Sequence, residues 1–515
     1  SFGVLIALAF VVVGRFRYSR DLLAEQPLTL SQIATVLALA LAVGTACGAA
    51  TWIKMYLFRF NTWTLLVASA FAYAACIALG VALDHHWSVT PAPVPLASAP
   101  TGNPPPVILI VADTLRADYL SLFDANAEAV TPNLEAFAAD AVTFQSAFAQ
   151  APWTKPSFGT IFTGLYPRDH GAEGKASSLR NDATTLAESL HAAGYFTKGF
   201  ANNDNIFPHF RFGQGFMEYE VLERELPFAG ALSVRPMVGF EVLRRARAWW
   251  MAPRVDERMI YMPADSVNTR VDEWLASRAW AERPPFLFVH YMDAHDPYMS
   301  AEEPGLGYGP LELSWRFPPE GRLDKMRSAY INDIEFLDRH LGALFASLRS
   351  AGLYDNALIL FTADHGEELF DHGGWWHGET HYDEVIRVPL LIKLPGGQHA
   401  GERNTDIARH IDLMPTVLAW AGVNAPTGLS GIFLITPDGE FHNAAITHAY
   451  AESDIAGATL RSIRDAQFKL IHANPTNPRG LKETELYDWR NDPHEQHDQS
   501  TTNPSAAENL APMLK

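Results

Sequence analysis

The run Val-Ile-Leu-Ile-Val-Ala-Asp, residues 107–113, decides the fold predicted for this chain. Six consecutive apolar residues before a carboxylate are typical of a strand that is buried on both faces of a sheet. Similar runs occur at Phe286–Tyr291, Ala357–Thr362 and Pro389–Leu394, with helical patterns between them. The sequence therefore predicts an α/β domain with a mixed or parallel sheet flanked by helices.

Local sequence signals predict three helices. Thr131-Pro132 places a capping residue before a proline, which opens a helix. The amphipathic segment Thr184–Ala193 stops at Gly194, and Asp324–Ser350 forms a long amphipathic pattern. These helices would cover the faces of the sheet.

The C-terminal part has a different pattern. From about Ala444 the apolar runs are short and close together, as in Leu460–Ile463 and Gln467–His472. Such spacing is typical of antiparallel strands. We therefore predict a main domain at 107–443 and a C-terminal subdomain with a small antiparallel sheet at 444–515.

The first 84 residues are expected to be transmembrane helices. Gln26–Ile53 and Phe60–Leu83 carry no charge, and each is long enough for a hydrocarbon core of about 30 Å. Ser1–Gly14 resembles a third span that is truncated at its start. The proline-rich segment 85–106 is typical of a semi-rigid linker that would hold the remainder off the bilayer.

The charges that flank the spans do not decide the membrane orientation. Arg15, Arg17 and Arg20 lie on one side, whereas Lys54 and Arg59 lie on the other. This difference slightly favours a cytoplasmic C-terminal domain, but it is too small for the positive-inside rule to apply. We expect a multi-pass membrane protein whose domain at 107–443 is periplasmic or otherwise extracytoplasmic.

Composition argues against two classes of function. The net charge of -19 would repel a phosphate backbone, so no nucleic-acid partner is expected. The two cysteines, Cys47 and Cys76, both lie in apolar runs, so a disulfide framework is absent and no cysteine is available for catalysis beyond Cys76.

Polar residues cluster at the ends of three predicted strands. They are Asp113, the pair Asp364 and His365, and the group His290, Asp293, His295 and Asp296. Each residue alone would be interpreted as a helix cap or a salt-bridge partner. Two carboxylates and an imidazole meeting at one sheet edge repel each other unless a cation lies between them. Asp113, Asp364 and His365 therefore predict a site for one divalent ion, Ca, Mn, Zn or Mg.

Thr154 is the candidate nucleophile. It precedes Pro156, which fits the first turn of a helix extending to about Gly164. A helix N-terminus favours an anion, and a metal there would stabilise a threonine alkoxide, so Thr154 is also a candidate ligand. The alternative is that Thr154 only caps the helix.

Several motifs together resemble the sulfatase family of the alkaline phosphatase superfamily. They are Ile-Val-Ala-Asp-Thr-Leu-Arg-Ala-Asp-Tyr (110–119), Thr-Pro-Asn-Leu (131–134), Thr-Lys-Pro-Ser (154–157), Phe-Thr-Gly-Leu-Tyr-Pro (162–167), His-Tyr-Met-Asp-Ala-His-Asp-Pro-Tyr (290–298), Ala-Asp-His-Gly-Glu-Glu (363–368), His-Gly-Gly-Trp-Trp-His-Gly (372–378), Arg-Val-Pro-Leu-Leu-Ile (387–392) and Glu-Leu-Tyr-Asp (485–488). The resemblance extends from about Pro106 to Asp498, and it implies an alkaline-phosphatase-like fold.

The resemblance also implies roles for individual residues. Asp113, Asp364 and His365 would be metal ligands, and Thr154 would occupy the nucleophile position. His295 would contact the substrate or protonate the leaving group, and His377 lies near the usual position of a cation that binds the transferred group. Asn203 falls where related enzymes often have an asparagine near the pocket. The alternatives are that His377 and His295 have only structural roles and that Asn203 is an ordinary loop residue. A second metal at Asp293, His377 or His381 is a further possibility.

Three positions depart from the family pattern. Typical sulfatases have Cys-x-Pro-x-Arg, whose cysteine becomes formylglycine, but here the two positions are Thr154 and Phe158. The usual second aspartate is replaced by Thr114, which removes a candidate metal ligand. A threonine nucleophile resembles membrane-anchored phosphoethanolamine transferases, lipoteichoic acid synthases and nucleotide phosphodiesterases.

Three hypotheses follow. The first is a phosphoester hydrolase or phospho-group transferase, because a phosphothreonine is cleaved at phosphorus whereas a threonine sulfate has no easy route to hydrolysis. The second is a sulfatase that uses an unmodified threonine. The third is a catalytically silent binding domain. The expected partner is a small-molecule or a lipid- or glycan-linked anionic ester.

Overall fold

The computed structural model describes residues 104–222, 261–296, 298–299, 307–308, 322–455 and 457–514. The transmembrane helices predicted at 1–84 and the linker up to residue 103 lie outside these residues. Within the described ranges, no helix is both long and apolar enough to cross a membrane. The described residues all belong to one unit of the chain, Pro91–Arg224 together with Asp256–Lys515.

The four apolar runs predicted as strands of the main domain are strands in the structure, which also contains strands that the sequence analysis did not predict. In chain order the described strands are β1 Val107–Ala112, β2 Val142–Phe148, β3 Phe196–Ala201, β4 Glu218–Val221, β5 Pro285–Tyr291, β6 Tyr298–Met299, β7 Gly307–Tyr308, β8 Leu358–Ala363, β9 Glu368–Leu369, β10 Trp375–Trp376, β11 Arg387–Val388, β12 Leu390–Lys393, β13 Arg403–Arg409, β14 Ala449–Ile455, β15 Ala458–Arg464, β16 Phe468–Ala473 and β17 Thr484–Asp488. All six residues of β1 are buried, as the run without polar residues predicts.

Nine of these strands form one mixed sheet. Its order is β11-β2-β12-β8-β1-β5-β3-β4, and β13 pairs with β2 off this path. The central pairs β8–β1–β5–β3 are parallel, whereas β12 is antiparallel to both β8 and β2. The predicted mixed sheet of an α/β domain is therefore confirmed, with parallel strands at its centre.

Nine α-helices are described. They are α1 Pro132–Ala139, α2 Thr154–Thr163, α3 Pro167–His170, α4 Leu186–Ala192, α5 Ala264–Ser277, α6 Arg322–Ala351, α7 Asp383–Ile386, α8 Leu413–Trp420 and α9 Pro504–Leu510. The long helix α6 packs against α1 and α5. Gly194, the predicted helix stop, has φ +93, a conformation that glycine adopts without strain.

The N-terminus of α1 is not capped by the residue that the sequence predicted. Thr131 is the N-cap of α1, but its side chain makes no capping hydrogen bond. The carboxylate of Asp338 on α6 instead accepts hydrogen bonds from the backbone N–H groups of Asn133 and Leu134, at 3.1 and 2.8 Å. A tertiary contact thus replaces the local cap, because a charged acceptor satisfies two free amides at once.

The predicted antiparallel sheet is also present. Strands β14, β15, β16 and β17 pair in sequence order, each antiparallel to the next. Arg464 and Lys469 of this sheet form buried ion pairs with Asp383 of α7. These charged contacts join the small sheet to the segment that follows the main-sheet site.

Candidate metal and nucleophile site

Strand register brings the two aspartates together. Ala112 of β1 pairs with Ala363 of β8 in a parallel ladder, so Asp113 and Asp364 leave the sheet at the same level. Parallel neighbours lie only about 4.8 Å apart. One ligand atom from each of Asp113, Asp364 and His365 lies within 4.8 Å of the other two, and all three residues are fully buried. The structure thus brings together the three predicted ligands.

The backbone carbonyl of the next residue, Gly366, orients the ring of His365. Its Nδ1 lies 2.8 Å from the carbonyl oxygen of Gly366, which only accepts hydrogen bonds, so Nδ1 donates its proton there. Burial, followed by the charge of His377, lowers the pKa of His365 well below its usual value. In the neutral ring Nε2 therefore carries a lone pair, and it lies 3.3 Å from Asp364 Oδ2.

The carboxylates fit a cation. Asp113 Oδ1 and Asp364 Oδ2 are buried and have no hydrogen-bond partner among the described residues. Burial, and then the charge of Asp113, raises the pKa of Asp364 well above its usual value. A divalent ion would satisfy both oxygens and offset their repulsion, so this donor set suits Ca²⁺, Mg²⁺, Mn²⁺ or Zn²⁺.

Two further side chains hold Asp113 in place. The amide of Asn203 donates a 2.9 Å hydrogen bond to Asp113 Oδ2, and His290 Nε2 lies 3.4 Å from the same oxygen. Burial alone would raise the pKa of Asp113, but the charges of His295, His365 and His290 lower it. Asn203 lies in the loop after β3, where its side chain also accepts a hydrogen bond from the N–H of Asn205, so it is a loop residue that contacts the site directly.

Thr114 turns its hydroxyl away from the carboxylates. The hydroxyl donates a 2.7 Å hydrogen bond to the carbonyl of Ala294, while the Thr114 N–H donates to Asp364 Oδ1 at 3.2 Å. Thr114 has φ +55, which a β-branched residue rarely adopts. The threonine therefore joins the loops after β1 and β5 and orients Asp364 through its backbone.

Thr154 is the first residue of α2. The N-cap is Trp153, which makes no capping hydrogen bond, and the Thr154 side chain does not serve as the cap. Thr154 Oγ1 lies 3.4 Å from His365 Nε2, and the residue is only 1% exposed. The interpretation of Thr154 as an N-cap is thus wrong, and its hydroxyl is free to face the ligand group.

A buried polar network fixes α2 to β8. Ser157 Oγ donates to the carbonyl of Asp364 at 2.6 Å and lies 3.3 Å from His410 Nδ1. The other nitrogen of His410, Nε2, lies 3.2 Å from Thr362 Oγ1. Burial lowers the pKa of His410 to about 3, so the ring is neutral. This network fixes the distance between Thr154 and the metal-ligand group.

Phe158 fills the position where the family pattern has arginine. Its ring is fully buried and lies 4.8 Å from the ring of His290 and 5.7 Å from that of Phe288. An aromatic contact with His290, a residue that itself supports Asp113, replaces the cation.

His377 and Glu367 form a pair that the sequence did not predict. His377 Nδ1 lies 2.9 Å from Glu367 Oε1, and the ring centroids of His377 and His365 are 4.4 Å apart. Burial alone would lower the pKa of His377, but the charges of Glu367 and Asp113 raise it above its usual value. The pair therefore favours a cationic imidazole beside the candidate metal ligands. The only sequence signal for Glu367 was its position directly after Asp364-His365-Gly.

His295 lies next to His377. The two ring centroids are 5.3 Å apart, and His295 Nδ1 lies 2.6 Å from the carbonyl of Asp296, so Nδ1 donates there. Among the described residues, no hydrogen bond is made by its Nε2.

The described residues offer one group of three or more metal ligands, Asp113 with Asp364 and His365. His381 lies between the hydroxyls of Ser462 and Ser453, at 3.0 and 3.1 Å, and burial lowers its pKa to about 3. Asp293, His377 and His381 form no such group, so the second metal site finds no support in the geometry.

Two models of known protein families match this chain. A family model described as Sulfatase matches residues 105–423, and one described as N-sulphoglucosamine sulphohydrolase, C-terminal, matches residues 371–515. The chain belongs to the sulfatase family. It is therefore a sulfatase-family hydrolase, which argues against the hypothesis of a silent binding domain.

Curated relatives of this sulfatase-family hydrolase carry several activities in their names. The multifunctional alkaline phosphatase superfamily protein PehA of Trinickia caryophylli is 27% identical over 398 residues, 64% of this chain and 76% of its own. An arylsulfatase of Clostridium perfringens (strain 13 / Type A) is 24% identical over 380 residues, 64% of this chain and 77% of its own. Among solved structures, the phosphonate monoester hydrolase of Agrobacterium radiobacter is 22% identical and has a TM-score of 0.61, covering 80% of this chain and 95% of that one. The structural likeness shows the shared fold.

Proposed function

We propose that this sulfatase-family hydrolase cleaves phosphate esters through a covalent phosphothreonine on Thr154. The observation that carries the proposal is the position of the Thr154 hydroxyl, 3.4 Å from Nε2 of His365 in a buried group of candidate metal ligands. An unmodified hydroxyl at the N-terminus of α2 meets the requirements of a nucleophile for a phosphoryl group.

Each residue has a distinct task in the proposed reaction. Asp113, Asp364 and His365 hold the divalent ion, which supplies Lewis-acid stabilisation of negative charge when bound. Thr154 gives up its hydroxyl proton to a water molecule and bonds to phosphorus, while the bond between phosphorus and the ester oxygen breaks and that oxygen takes a proton from His295. A second water molecule then attacks the phosphothreonine and gives a proton back to His295. The bond between phosphorus and the Thr154 oxygen breaks, that oxygen regains a proton from solvent, and phosphate is released. His377, paired with Glu367, would bind an oxygen of the transferred group.

Phosphate is favoured over sulfate by the chemistry of threonine. A formylglycine hydrate expels sulfate by collapsing to the aldehyde, a route that Thr154 lacks. A phosphothreonine can instead be hydrolysed at phosphorus. Relatives named as a phosphonate monoester hydrolase and as a multifunctional member of the alkaline phosphatase superfamily are consistent with phosphorus chemistry on this fold.

Sulfate ester hydrolysis is the second candidate. The match of two sulfatase family models, which together reach from residue 105 to residue 515, favours it. In that case Thr154 would act without modification on a substrate such as a glycan sulfate.

One experiment separates these candidates. The protein and its Thr154→Ala variant are given matched aryl phosphate and aryl sulfate esters, and the Thr154 peptide is examined by mass spectrometry after rapid acid quenching. We expect phosphate release with a phosphorylated Thr154 peptide, both lost in the variant. Turnover of sulfate esters alone would establish the second candidate, and unchanged activity of Thr154→Ala would refute the threonine mechanism.

We also propose that the uncharged runs in 1–84 tether the enzyme to a membrane, with its catalytic domain outside the cytoplasm. A lipid- or glycan-linked ester would then be within reach, and the phospho group would pass to water or to an acceptor alcohol. Membrane fractionation of cells that express the full chain, with protease added from the outside, tests this placement.

A further inference from the structure

We propose that Arg479, in the loop between β16 and β17 of the small sheet, is a positioning residue for the pair of Glu367 and His377. This inference rests on the proposed function and deepens it, because that function gives His377 the task of binding an oxygen of the transferred group. Arg479 acts through the hairpin formed by β9 and β10, which carries both members of the pair at its open end.

The register of this hairpin sets the pair. Trp376 of β10 lies opposite Glu368 of β9 in an antiparallel ladder. The next rung of the ladder puts His377 opposite Glu367, and the two side chains meet there with 2.9 Å between Nδ1 and Oε1. A change in the pairing of β9 with β10 would therefore move the imidazole away from its carboxylate.

The hairpin is too short to hold this register by itself. Its ladder contains two residue pairs, and an isolated hairpin of two strands is only marginally stable. Phe370 and Trp376 also have φ +69, a left-handed conformation that is strained for an aromatic residue and persists only where the surroundings enforce it. Contacts from outside the hairpin must therefore stabilise it.

The main domain holds the β9 side of the hairpin. Arg116 Nη1 donates a 3.1 Å hydrogen bond to the carbonyl of Glu367, and Arg327 Nη2 donates to that of Leu369 at 3.2 Å. Arg116 also pairs with Asp371 at 2.8 Å, and the Asp371 carboxylate accepts a hydrogen bond from Leu369 N–H. These contacts fix the strand that follows Glu367.

Arg479 joins β9 to the turn that leads into β10. Its Nη2 forms an ion pair with Glu368 Oε1 and donates a 3.0 Å hydrogen bond to the carbonyl of His372. Its Nη1 lies 3.4 Å from the carbonyl oxygen of Gly373. The same Oε1 of Glu368 accepts a 2.9 Å hydrogen bond from Gly374 N–H. One guanidinium and one carboxylate thus connect the strand before the turn with the backbone after it.

Burial makes this ion pair a fixed contact. The side chain of Glu368 is 2% exposed and that of Arg479 is 18% exposed. Removal of one partner from a buried pair leaves the other charge uncompensated, which disturbs its surroundings more than the loss of an exposed pair does. Without Arg479 we therefore expect the turn and β10 to shift relative to β9, and His377 to lose its alignment with Glu367.

The test asks whether Arg479 acts through His377. Inorganic phosphate and inorganic sulfate are titrated by calorimetry into the full-length protein and its variants. For Arg479→Met and for His377→Ala we expect binding of the preferred anion to weaken by about tenfold or more, the effect of a lost hydrogen bond to a charged group. In the His377→Ala background, Arg479→Met should change binding by less than about twofold. A merely destabilising substitution would not show this coupling.

A second variant disturbs the same contact while Arg479 is kept. A Cβ at Gly374 would lie 2.5 Å from Arg479 Nε, so Gly374→Ala displaces the guanidinium. It should weaken anion binding in the wild type and have a much smaller effect in Arg479→Met. Arg461→Met is the matched control, because it removes an arginine of the same small sheet that donates to the carbonyl of Leu514 at 3.2 Å. It should leave anion binding unchanged.

Anion binding by Arg479→Met that equals the wild type would overturn the proposal. An equal loss with and without the His377 imidazole, or a loss in Arg479→Met with none in His377→Ala, would overturn it too. If the wild type turns over only sulfate esters, the proposed phosphoester function fails, yet coupling between the two substitutions in sulfate binding would still support the role of Arg479. The two failures are therefore distinguishable.

Discussion

The hydroxyl oxygen of Thr154 lies 3.4 Å from Nε2 of His365, and both side chains are buried at the carboxyl edge of the main sheet. The contact joins two segments 211 residues apart in sequence. The start of α2 and the end of β8 thereby form one site.

Replacement of the Thr154 hydroxyl tests the nucleophile. We expect Thr154→Ala to lose at least about a thousandfold in kcat, because removal of a covalent nucleophile removes the whole pathway. Thr154→Ser keeps the hydroxyl and should retain activity within about tenfold while forming the same covalent intermediate. Steady-state kinetics measure both. A Thr154→Ser variant as inactive as Thr154→Ala would show that the hydroxyl is not the decisive group.

Removal of the metal should destabilise the protein. Chelation would leave Asp113 and Asp364 facing each other without a cation, so we expect a lower melting temperature that recovers when the divalent ion is restored. His365→Ala should contain less metal and respond little to the chelator. Glu379→Gln, at an exposed position, is the matched control and should behave like the wild type. Elemental analysis showing no bound metal in the wild type would contradict this prediction.

The fit of α2 against His170 should be sensitive to one methyl group. A Cβ at Gly159 would lie 2.6 Å from Nε2 and 2.7 Å from Nδ1 of His170. Alanine is favoured over glycine in a helix by about 1 kcal/mol, but overpacking costs about 1–3 kcal/mol. His170 is held by the carbonyl of Pro156 and the N–H of Ala172, so it cannot move without losing both contacts. We therefore expect Gly159→Ala to lower the free energy of unfolding.

A double-mutant cycle checks that cause. In the His170→Ala background the Gly159→Ala change should cost much less, since the ring is gone. Gly213→Ala, whose Cβ would have its nearest neighbour at 3.5 Å, should be tolerated. An equal cost of Gly159→Ala with and without His170 would show that the ring is not responsible.

His372 should make stability depend on pH. Burial alone would lower its pKa, but a 2.5 Å hydrogen bond and ion pair with Glu384 and a contact to the Glu495 carbonyl raise it to about 9. The folded protein therefore keeps a proton that the unfolded chain releases near the usual pKa of 6.5. The stabilisation is complete below about pH 6.5 and disappears as the pH rises through about 9. It amounts to at most about 3 kcal/mol.

Denaturant unfolding of the wild type and His372→Gln at pH 6 and pH 9.5 measures this effect. The difference in free energy of unfolding between the two proteins should be large at pH 6 and small at pH 9.5. His472→Gln, on the exposed side of β16, is the matched control for the loss of an imidazole. A constant difference for His372→Gln would refute the linkage.

The amino-acid sequence by itself determined four strands of the main sheet, the main helices and the group of candidate metal ligands. Fully apolar runs such as 107–112 encode burial on both faces, and a polar residue directly after such a run must lie at the sheet edge. Asp113, Asp364 and His365 follow from this local rule together with the family motifs. Thr154 as the first helical residue depended on Pro156, which is also a local signal.

Only the tertiary structure decided which side chains meet across the fold. The pair His377–Glu367, the hydrogen bond from Asn203 to Asp113 and the ion pair of Arg479 with Glu368 depend on loops whose conformations have no periodic signal. The same holds for His381, which lies between two serines of the small sheet and not among the metal ligands. The pattern of apolar residues in the sequence indicates whether a side chain is buried. Which side chain it contacts depends on strand register and on the conformation of loops between segments distant in sequence. For this reason the sequence predicted the metal-ligand group but not the residues that orient it.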